Sequence, residues 1–305
     1  MMTQILYKIL PEKQFRKLAK LFHQIKKKIY TPFSEKDFKR LLQDEFHIKK
    51  GDTVAVHSSM DKLNIAFSPY RLLEILLETV GEEGNLLFPC WQFSGRTEDY
   101  VTQPDVVFDV THDPSKLGLL SELARRHPEA VRSAHPTASV CVIGKNAQEL
   151  TETHHLDPYP CGTESPFYKM LAHHGKIIGL GEKIVSLTFL HCIEDVLRDI
   201  FPIETKHKMP VQIPVILPNG NRITCEVFYQ KNLFNSISID LINKSISKKA
   251  CHSFSCRGSN FFVCDASLFF NEMKALTEQG KTIYGNYASH SPTHLPQNFH
   301  PNRKD

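Results

Sequence analysis

The clearest chemistry in this sequence comes from a histidine and a glutamate three positions apart. Residues 188–194 read Thr-Phe-Leu-His-Cys-Ile-Glu. On a helix, positions three apart share a face, so His191 and Glu194 can lie side by side. A carboxylate beside an imidazole orients the ring and increases its basicity, which suits a general base. The same spacing fits a satisfied pair on an amphipathic helix, and spacing alone does not decide between the two interpretations.

Two other polar runs follow apolar segments, at points where strands would end. They are residues 56–59 (Val-His-Ser-Ser) and residues 135–139 (His-Pro-Thr-Ala-Ser). In open α/β sheets ligands gather at the carboxyl ends of strands, so histidines and hydroxyls there could bind a polar ligand. Each run taken alone is better explained as an ordinary turn or loop, because serine and proline are common turn residues.

Cysteine and histidine near residue 250 raise the question of a zinc site. Cys251, His252, Cys256 and Cys264 are irregularly spaced, and Cys264 ends an apolar run, so we expect no metal. The glycines of residues 175–181 do not match a dinucleotide-binding loop. A strand followed by a glycine turn explains them better.

Strands and helices must alternate along the chain to position these groups. Periodicity predicts a last helix at 265–279 and a hairpin that turns at residues 218–220 (Pro-Asn-Gly). This order indicates an α/β fold with a largely parallel or mixed sheet and a β excursion at 210–260. The earlier strands are expected at 53–56, 85–89, 139–144 and 176–179, and the earlier helices at 70–80, 117–126, 146–154, 167–174 and 187–200.

Length and composition suit a globular protein with one large α/β domain or two small ones. It has 305 residues, of which 41% are hydrophobic and 23% charged, enough to bury a sizeable core. Residues 1–8 lack the apolar stretch of a secretory signal, and no apolar run is long enough to cross a bilayer. We therefore expect a cytoplasmic protein without stable membrane insertion, whose eight cysteines are reduced.

Basic residues are concentrated near the N-terminus, where residues 13–30 have a helical apolar period. A basic helix can bind nucleic acid or an anionic membrane, but a solvated face explains the lysines better. We expect no nucleic-acid partner, and we expect the apolar stripe to pack on the rest of the protein. The predicted organisation is a basic extension at 1–30, one domain at 31–285 and a tail at 286–305.

Together and in this order, the motifs resemble the aminoglycoside 3-N-acetyltransferase family over roughly residues 31–280. The resemblance implies a layered α/β/α fold with a central mixed sheet and a β-hairpin excursion. It is carried by residues 56–60 (Val-His-Ser-Ser-Met), 81–89 (Gly-Glu-Glu-Gly-Asn-Leu-Leu-Phe-Pro), 108–144 with 116–120 (Lys-Leu-Gly-Leu-Leu) and 135–139, then 162–166 and 188–194.

The chemistry that this resemblance implies is acetyl transfer from acetyl-coenzyme A to an amine. His191 would be the base and Glu194 its orienting carboxylate. A substrate ammonium has no lone pair, so a base must remove a proton, and the oxyanion that follows needs hydrogen-bond donors. The resemblance predicts acetyl-coenzyme A contacts at His57, Ser58, Ser59, Thr137 and Ser139, and contacts with the small-molecule amine at His135 and Thr188.

Arginine side chains suit the phosphates of coenzyme A. Arg96, Arg125, Arg126 and Arg132 are the candidates, and the sequence does not decide among them. We predict Arg96 as the arginine that contacts the cofactor.

Two departures from the family affect the acceptor site. Ala138 stands where the family usually has a second histidine, and the segment after Phe201 matches poorly. The net charge of +4 suits an anionic amine better than a polycationic antibiotic. We therefore expect a nucleotide-linked amino sugar of surface-polysaccharide synthesis, with aminoglycoside resistance as the alternative. A non-catalytic coenzyme A-binding protein and a metal-dependent hydrolase are the competing classes, and a homo-oligomer is left open.

Overall fold

A computed structural model describes residues 28–233 and 239–284, with isolated positions 14, 18, 21 and 25. In these residues seven strands form one mixed sheet in the order β4-β5-β2-β1-β6-β10-β9. The strands are β1 (Thr53–Ser58), β2 (Asn85–Pro89), β4 (Val131–Arg132), β5 (Val140–Gly144), β6 (Gly175–Leu180), β9 (Cys251–Cys256) and β10 (Ser259–Asp265).

The centre of the sheet is parallel and both flanks are antiparallel. Strand β1 pairs in parallel with β2 and with β6. Strand β10 runs antiparallel to β6 and β9, and β5 runs antiparallel to β2 and β4. The apolar run of β1 is buried on both faces, as expected for a central parallel strand.

Helices cover the two faces of this sheet. Val54 and Val56 of β1 pack beneath α1, α2 and α4. Ala55, between them, points to the opposite face and packs beneath α5, α6, α7, α8 and α9. The predicted α/β/α layers and mixed sheet are confirmed. The helices are α1 (Glu35–Asp44), α2 (Pro69–Val80), α3 (Thr97–Val101), α4 (Leu119–Arg125), α5 (Ala147–Thr151), α6 (Pro166–Lys169), α7 (Leu190–Val196), α8 (Asp240–Ser245) and α9 (Ala266–Glu278).

A second, smaller sheet holds the predicted hairpin. Strands β7 (Val211–Ile216) and β8 (Arg222–Val227) pair antiparallel, and β3 (Phe108–Asp109) adds in parallel to β7. The prediction of a single β excursion over 210–260 is wrong at its end. Strand β9 joins the edge of the main sheet, because its whole length pairs with β10.

The helix that carries the histidine and glutamate is shorter than predicted. Residues 184–186 form a 3₁₀ turn and Leu187 is extended (φ −72°, ψ 94°), so α7 begins only at Leu190. At the other end Leu197 leaves the helical region with ψ 18°. His191 is therefore the second residue of a two-turn helix, and its side chain lies near an opening of the fold.

Two further expectations need correction. Cys251 and Cys264 stand opposite each other on β9 and β10 and form a disulfide, so not all eight cysteines are reduced. The predicted N-terminal helix is helical at its described positions, but Leu18, Leu21, Ile25 and Ile29 are exposed there and do not pack on the core. The predicted tail at 286–305 lies outside the described residues.

The helices in the described part of the chain are too short or too polar to cross a membrane.

Candidate active site

His191 and Glu194 lie side by side on α7, as their spacing predicts. The His191 Nδ1 atom is 3.0 Å from Glu194 Oε2. The imidazole is 37% exposed, whereas the carboxylate is 1% exposed. One partner therefore reaches solvent-accessible space while the other is held in the protein interior.

Glu194 accepts hydrogen bonds at both carboxylate oxygens. Tyr284 Oη donates to Oε1, and Gln230 Nε2 donates to Oε2 over 3.1 Å. Burial by itself would raise the pKa of Glu194, but His191, Lys206 and the Tyr284 hydroxyl lower the pKa to about 2. The carboxylate is ionised at neutral pH and can only accept, so the hydrogen of the pair belongs to His191 Nδ1. This leaves Nε2 of the imidazole with its lone pair.

Two cavities open beside His191. One, of about 330 Å³, is lined by Arg96, Glu98, Lys231 and Tyr284. The other, of about 230 Å³, is lined by Trp91, Phe93, Thr137, Cys161, Thr188, Lys206 and Gln230. His191 lines both cavities. We call the first the charged cavity, after Arg96, Glu98 and Lys231, and the second the aromatic cavity, after Trp91 and Phe93.

A third cavity, of about 190 Å³, lies at the carboxyl ends of β1 and β2. His57 and Ser58 line it, with Ser121 and Ser186 opposite. Trp91 and Thr188 line both this cavity and the aromatic cavity beside His191, so the two cavities are neighbours. The structure thus brings together five of the predicted site residues, namely His57, Ser58, Thr137, Thr188 and His191, along one path.

His57 is a buried residue of this third cavity, and one polar atom of its ring is unpaired. Its Nε2 atom has no hydrogen-bond partner in the described residues. Burial lowers the pKa of the His57 imidazole to about 4, so the ring is neutral at physiological pH. A neutral imidazole with an unpaired nitrogen fits a ligand that brings an amide or hydroxyl group.

Three predicted contacts point elsewhere. The Ser59 carbonyl accepts from Lys62 and Leu63 in a turn, and Ser59 is not among the residues that line these three cavities. The Ser139 side chain is fully buried, and its hydroxyl donates to the Cys90 carbonyl over 2.9 Å. The Cys90 N–H donates in return to the Ser139 carbonyl over 2.8 Å, so this residue is held against the end of β2.

His135, the third of these, is fully buried and stacks on His154 with ring centroids 4.8 Å apart. Burial, helped by the nearby His154 and His155, holds the pKa of His135 well below its usual range. The ring lies behind Thr137, whose backbone N–H points to its Nδ1 over 3.3 Å. His135 therefore supports the loop that holds Thr137, and it does not itself line the cavity that Thr137 lines.

The four candidate arginines differ in how free they are. Arg132 is half-buried and donates to the Asp113 carbonyl over 2.6 Å, and Arg125 and Arg126 both pair with Glu122. Arg96 is half exposed and pairs with Asp99. It lines the charged cavity beside His191, on the side away from His57 and Ser58.

Four residues of the site were not predicted from the sequence: Trp91, Lys206, Gln230 and Tyr284. Trp91 follows β2 and could have been found as an aromatic residue at the carboxyl end of a strand. The other three reach Glu194 or its neighbour from distant parts of the chain. The described residues contain no group of three or more His, Cys, Asp or Glu side chains that could hold a metal ion.

Comparisons with known proteins identify the family to which this chain belongs. The family model described as "Aminoglycoside 3-N-acetyltransferase" matches residues 55–278. Aminoglycoside N(3)-acetyltransferase IX of Micromonospora chalcea is 30% identical over 193 residues, which is 58% of this chain and 65% of that relative. The match thus spans less than two thirds of the relative's length.

Solved structures share the fold over most of the chain. The structure titled "AAC-IIIb binary with CoASH" superposes with a TM-score of 0.66 at 20% identity, covering 81% of this chain and 97% of that one. The structure titled "AAC-VIa bound to Sisomicin" gives a TM-score of 0.64 at 25% identity, covering 82% and 98%. With the family model matched across most of its residues, the chain belongs to the aminoglycoside 3-N-acetyltransferase family.

Proposed function

We propose that the protein is an N-acetyltransferase that moves the acetyl group of acetyl-coenzyme A to an amino group of an aminoglycoside. The observation that carries this proposal is the buried, ionised Glu194 hydrogen-bonded to His191 Nδ1, with His191 in the lining of two cavities. Such a pair can remove a proton from one ligand beside a second ligand, which is what an acyl transfer to an amine requires.

The proton transfer follows from the hydrogen bond between the two residues. Glu194 accepts from Nδ1–H, so His191 Nε2 can take a proton from the substrate ammonium. The imidazolium that forms is stabilised by the carboxylate 3.0 Å away. Because Glu194 is held by Tyr284 and Gln230, the imidazole keeps one orientation throughout.

The cavity at the ends of β1 and β2 suits the thioester end of acetyl-coenzyme A, which supplies the acetyl group. His57 and Ser58 line this cavity and would lie beside the amides of the pantetheine arm, and Thr188 lies where this cavity meets the one beside His191. The oxyanion of the transfer would need donors here, and Thr137 and Thr188 are hydroxyl groups within the lining.

The names of the relatives favour an aminoglycoside acceptor over the amino sugar preferred from charge alone. Relatives and solved structures carry that name, and one structure holds sisomicin. The charged cavity beside His191 is the side from which such an acceptor would approach, since the opposite side leads to His57.

One observation keeps the amino sugar as a second candidate. The charged cavity is lined by two cations, Arg96 and Lys231, and one anion, Glu98. A polycation is better served by acidic walls, whereas a diphosphate-linked amino sugar would be attracted by the two cations.

Thiol release from acetyl-coenzyme A, measured with each acceptor class, tests the proposal. We expect release with sisomicin and an acetylated product by mass spectrometry, with the His191→Gln protein as the matched blank. Release with nucleotide-linked amino sugars alone would move the assignment to the second candidate. No release with either class, from protein that binds coenzyme A, would reject acetyl transfer to these amines.

A further inference from the structure

Lys206 is a buried ammonium beside two consecutive buried carboxylates of α7. Its Nζ atom lies 2.6 Å from Asp195 Oδ1 and 3.7 Å from Glu194 Oε2. The side chain is 9% exposed and both carboxylates are 1% exposed. Ionic groups are rarely buried this deeply unless neighbours compensate their charge, so the arrangement calls for a reason.

Backbone pairing holds Lys206 at this place. The segment around Lys206 bridges the segment around Gln230, with His207 N donating to Tyr229 O and Lys231 N donating to Thr205 O. Lys206 Nζ also donates to Gln230 Oε1 over 2.6 Å, while the amide nitrogen of the same Gln230 donates to Glu194. Ammonium, amide and carboxylate thus form one chain of contacts that ends at His191.

Lys206 offsets one of the two negative charges of this cluster. Glu194 and Asp195 contribute two negative charges and Lys206 one positive charge, which leaves one buried negative charge facing His191. Burial raises the pKa of Asp195, Lys206 opposes that rise, and Glu194 adds to it. Burial would lower the pKa of Lys206, but the two carboxylates hold it above its usual value.

The groups that face the two carboxylates come from several elements. The Cys161 N–H donates to Asp195 Oδ2 over 2.9 Å, and the Tyr284 hydroxyl donates to Glu194. His191 shares α7 with them, and Gln230 carries no charge. The thiols of Cys161 and Cys192 are buried nearby, and burial raises the pKa of both, so they stay neutral. Lys206 is the lysine that contacts the carboxylate oxygens, whereas Arg198 Nη1 donates to the backbone carbonyl of Asp195 over 3.0 Å.

We propose that Lys206 is a positioning residue for the transfer reaction: its ammonium keeps Glu194 ionised, and Glu194 thereby keeps the hydrogen of His191 on Nδ1. This inference rests on the proposed function, in which His191 Nε2 is the base. Lys206 acts through the carboxylates and takes no part in bond making.

The consequence of losing the ammonium follows from the geometry. Two adjacent buried carboxylates without a cation retain a proton at higher pH. A proton on Glu194 converts that oxygen from an acceptor into a donor towards His191 Nδ1. The imidazole then carries its hydrogen on Nε2 and cannot take a proton from the substrate.

The test is the pH profile of kcat/KM for variants that change the charge of the cluster. In Lys206→Met the acid limb should move up by about one to three pH units, with activity partly recovered at high pH. Lys206→Arg keeps the cation and should stay near the wild-type limb. Asp195→Asn removes a carboxylate instead, so its acid limb should move to lower pH.

The double variant Lys206→Met/Asp195→Asn gives the sharpest result, because it restores the single buried negative charge. Its acid limb should return close to that of the wild type. Lys145→Met serves as the matched control, since Lys145 also pairs with a carboxylate but is exposed at the protein surface. If Lys206→Met does not fold, Asp195→Asn and the double variant still decide the question.

A readout without acceptor keeps this inference separate from the proposed function. In ¹⁵N-histidine-labelled protein, His191 should give the Nδ1–H form at neutral pH, and the pH at which the His191–Glu194 pair takes up a proton should be about one to three units higher in Lys206→Met than in the wild type. An unchanged pH of proton uptake, an acid limb that stays in place while the rate falls at every pH, or a double variant as shifted as Lys206→Met would overturn the proposal. A shifted proton uptake in the variant without acetyl transfer by the wild type would instead count against the proposed function alone.

Discussion

An imidazole can take a proton only at the nitrogen that lacks a hydrogen, so the partner of the other nitrogen decides its role. In this site the partner is Glu194, whose carboxylate is ionised and 3.0 Å from His191 Nδ1. The free nitrogen belongs to a ring that is 37% exposed and borders two cavities. Burial of the acceptor and access to the base are thus combined within one helical turn.

This arrangement predicts the effect of removing the base. His191→Gln should lower kcat by about 100- to 10,000-fold, because general-base assistance is lost while the side-chain volume is nearly kept. Coenzyme A binding, measured by calorimetry, should persist, since His57 and Ser58 line a different cavity from His191.

His112→Gln is the control for this variant. His112 also pairs with a carboxylate three positions away, but its side chain is 82% exposed on the surface. Its turnover should match the wild type. Turnover near the wild-type value in His191→Gln would remove His191 from the proton transfer.

At the scale of elements, the junction between β6 and β10 depends on one missing side chain. Gly179 of β6 stands directly opposite Phe262 of β10. A Cβ at this glycine would lie 2.1 Å from Phe262 Cε1, and the phenyl ring is fully buried. The ring of Phe262 also packs near His57, with centroids 6.0 Å apart. The glycine therefore lets an aromatic residue fill the space under the candidate thioester cavity.

Gly179→Ala should destabilise the protein by about 1–3 kcal/mol, because the buried ring must shift to admit a methyl group. Urea unfolding followed by circular dichroism measures this change. Phe262→Leu in the same chain should recover part of the loss, and additivity of the two substitutions would show that no clash exists.

At the scale of the whole molecule, buried neutral histidines make stability depend on pH. Burial lowers the pKa of His57 and of His154 to about 4, and holds that of His135 well below its usual range. Unfolded histidines take up protons near 6.5. Because the unfolded chain binds more protons between these values, the stabilisation is complete above pH 6.5 and is lost as the pH falls towards 4.

The free energy of unfolding should therefore decrease from pH 6.5 to pH 4, by about 1.4 kcal/mol per group for each unit of pKa difference. Urea midpoints at pH 7.5, 6.5, 5.5 and 4.5 measure it. His57→Gln removes one of these groups and should reduce the slope. A midpoint that does not change between pH 7.5 and pH 4.5 would contradict the burial of these rings as neutral groups.

Local patterns in the sequence determined much of the fold and the central pair of the site. The apolar run of β2 was predicted at its observed bounds, and the period of α2 to within one residue. The same holds for His191 and Glu194, since their contact depends only on helical spacing. These features are local, because the hydrogen bonds and side-chain period that define them involve residues a few positions apart.

Tertiary structure decided the rest. Tyr284 and Gln230 reach Glu194 across 90 and 36 residues, and Lys206 reaches Asp195 from a segment that only backbone pairing positions. Likewise, Ser139 turns into the core while Thr137, two positions earlier, lines a cavity. Local periodicity in the sequence does not predict which distant residue will face a buried carboxylate. That choice is made when strands pair and bring their side chains to a common interior, where an unpaired charge is too costly to leave.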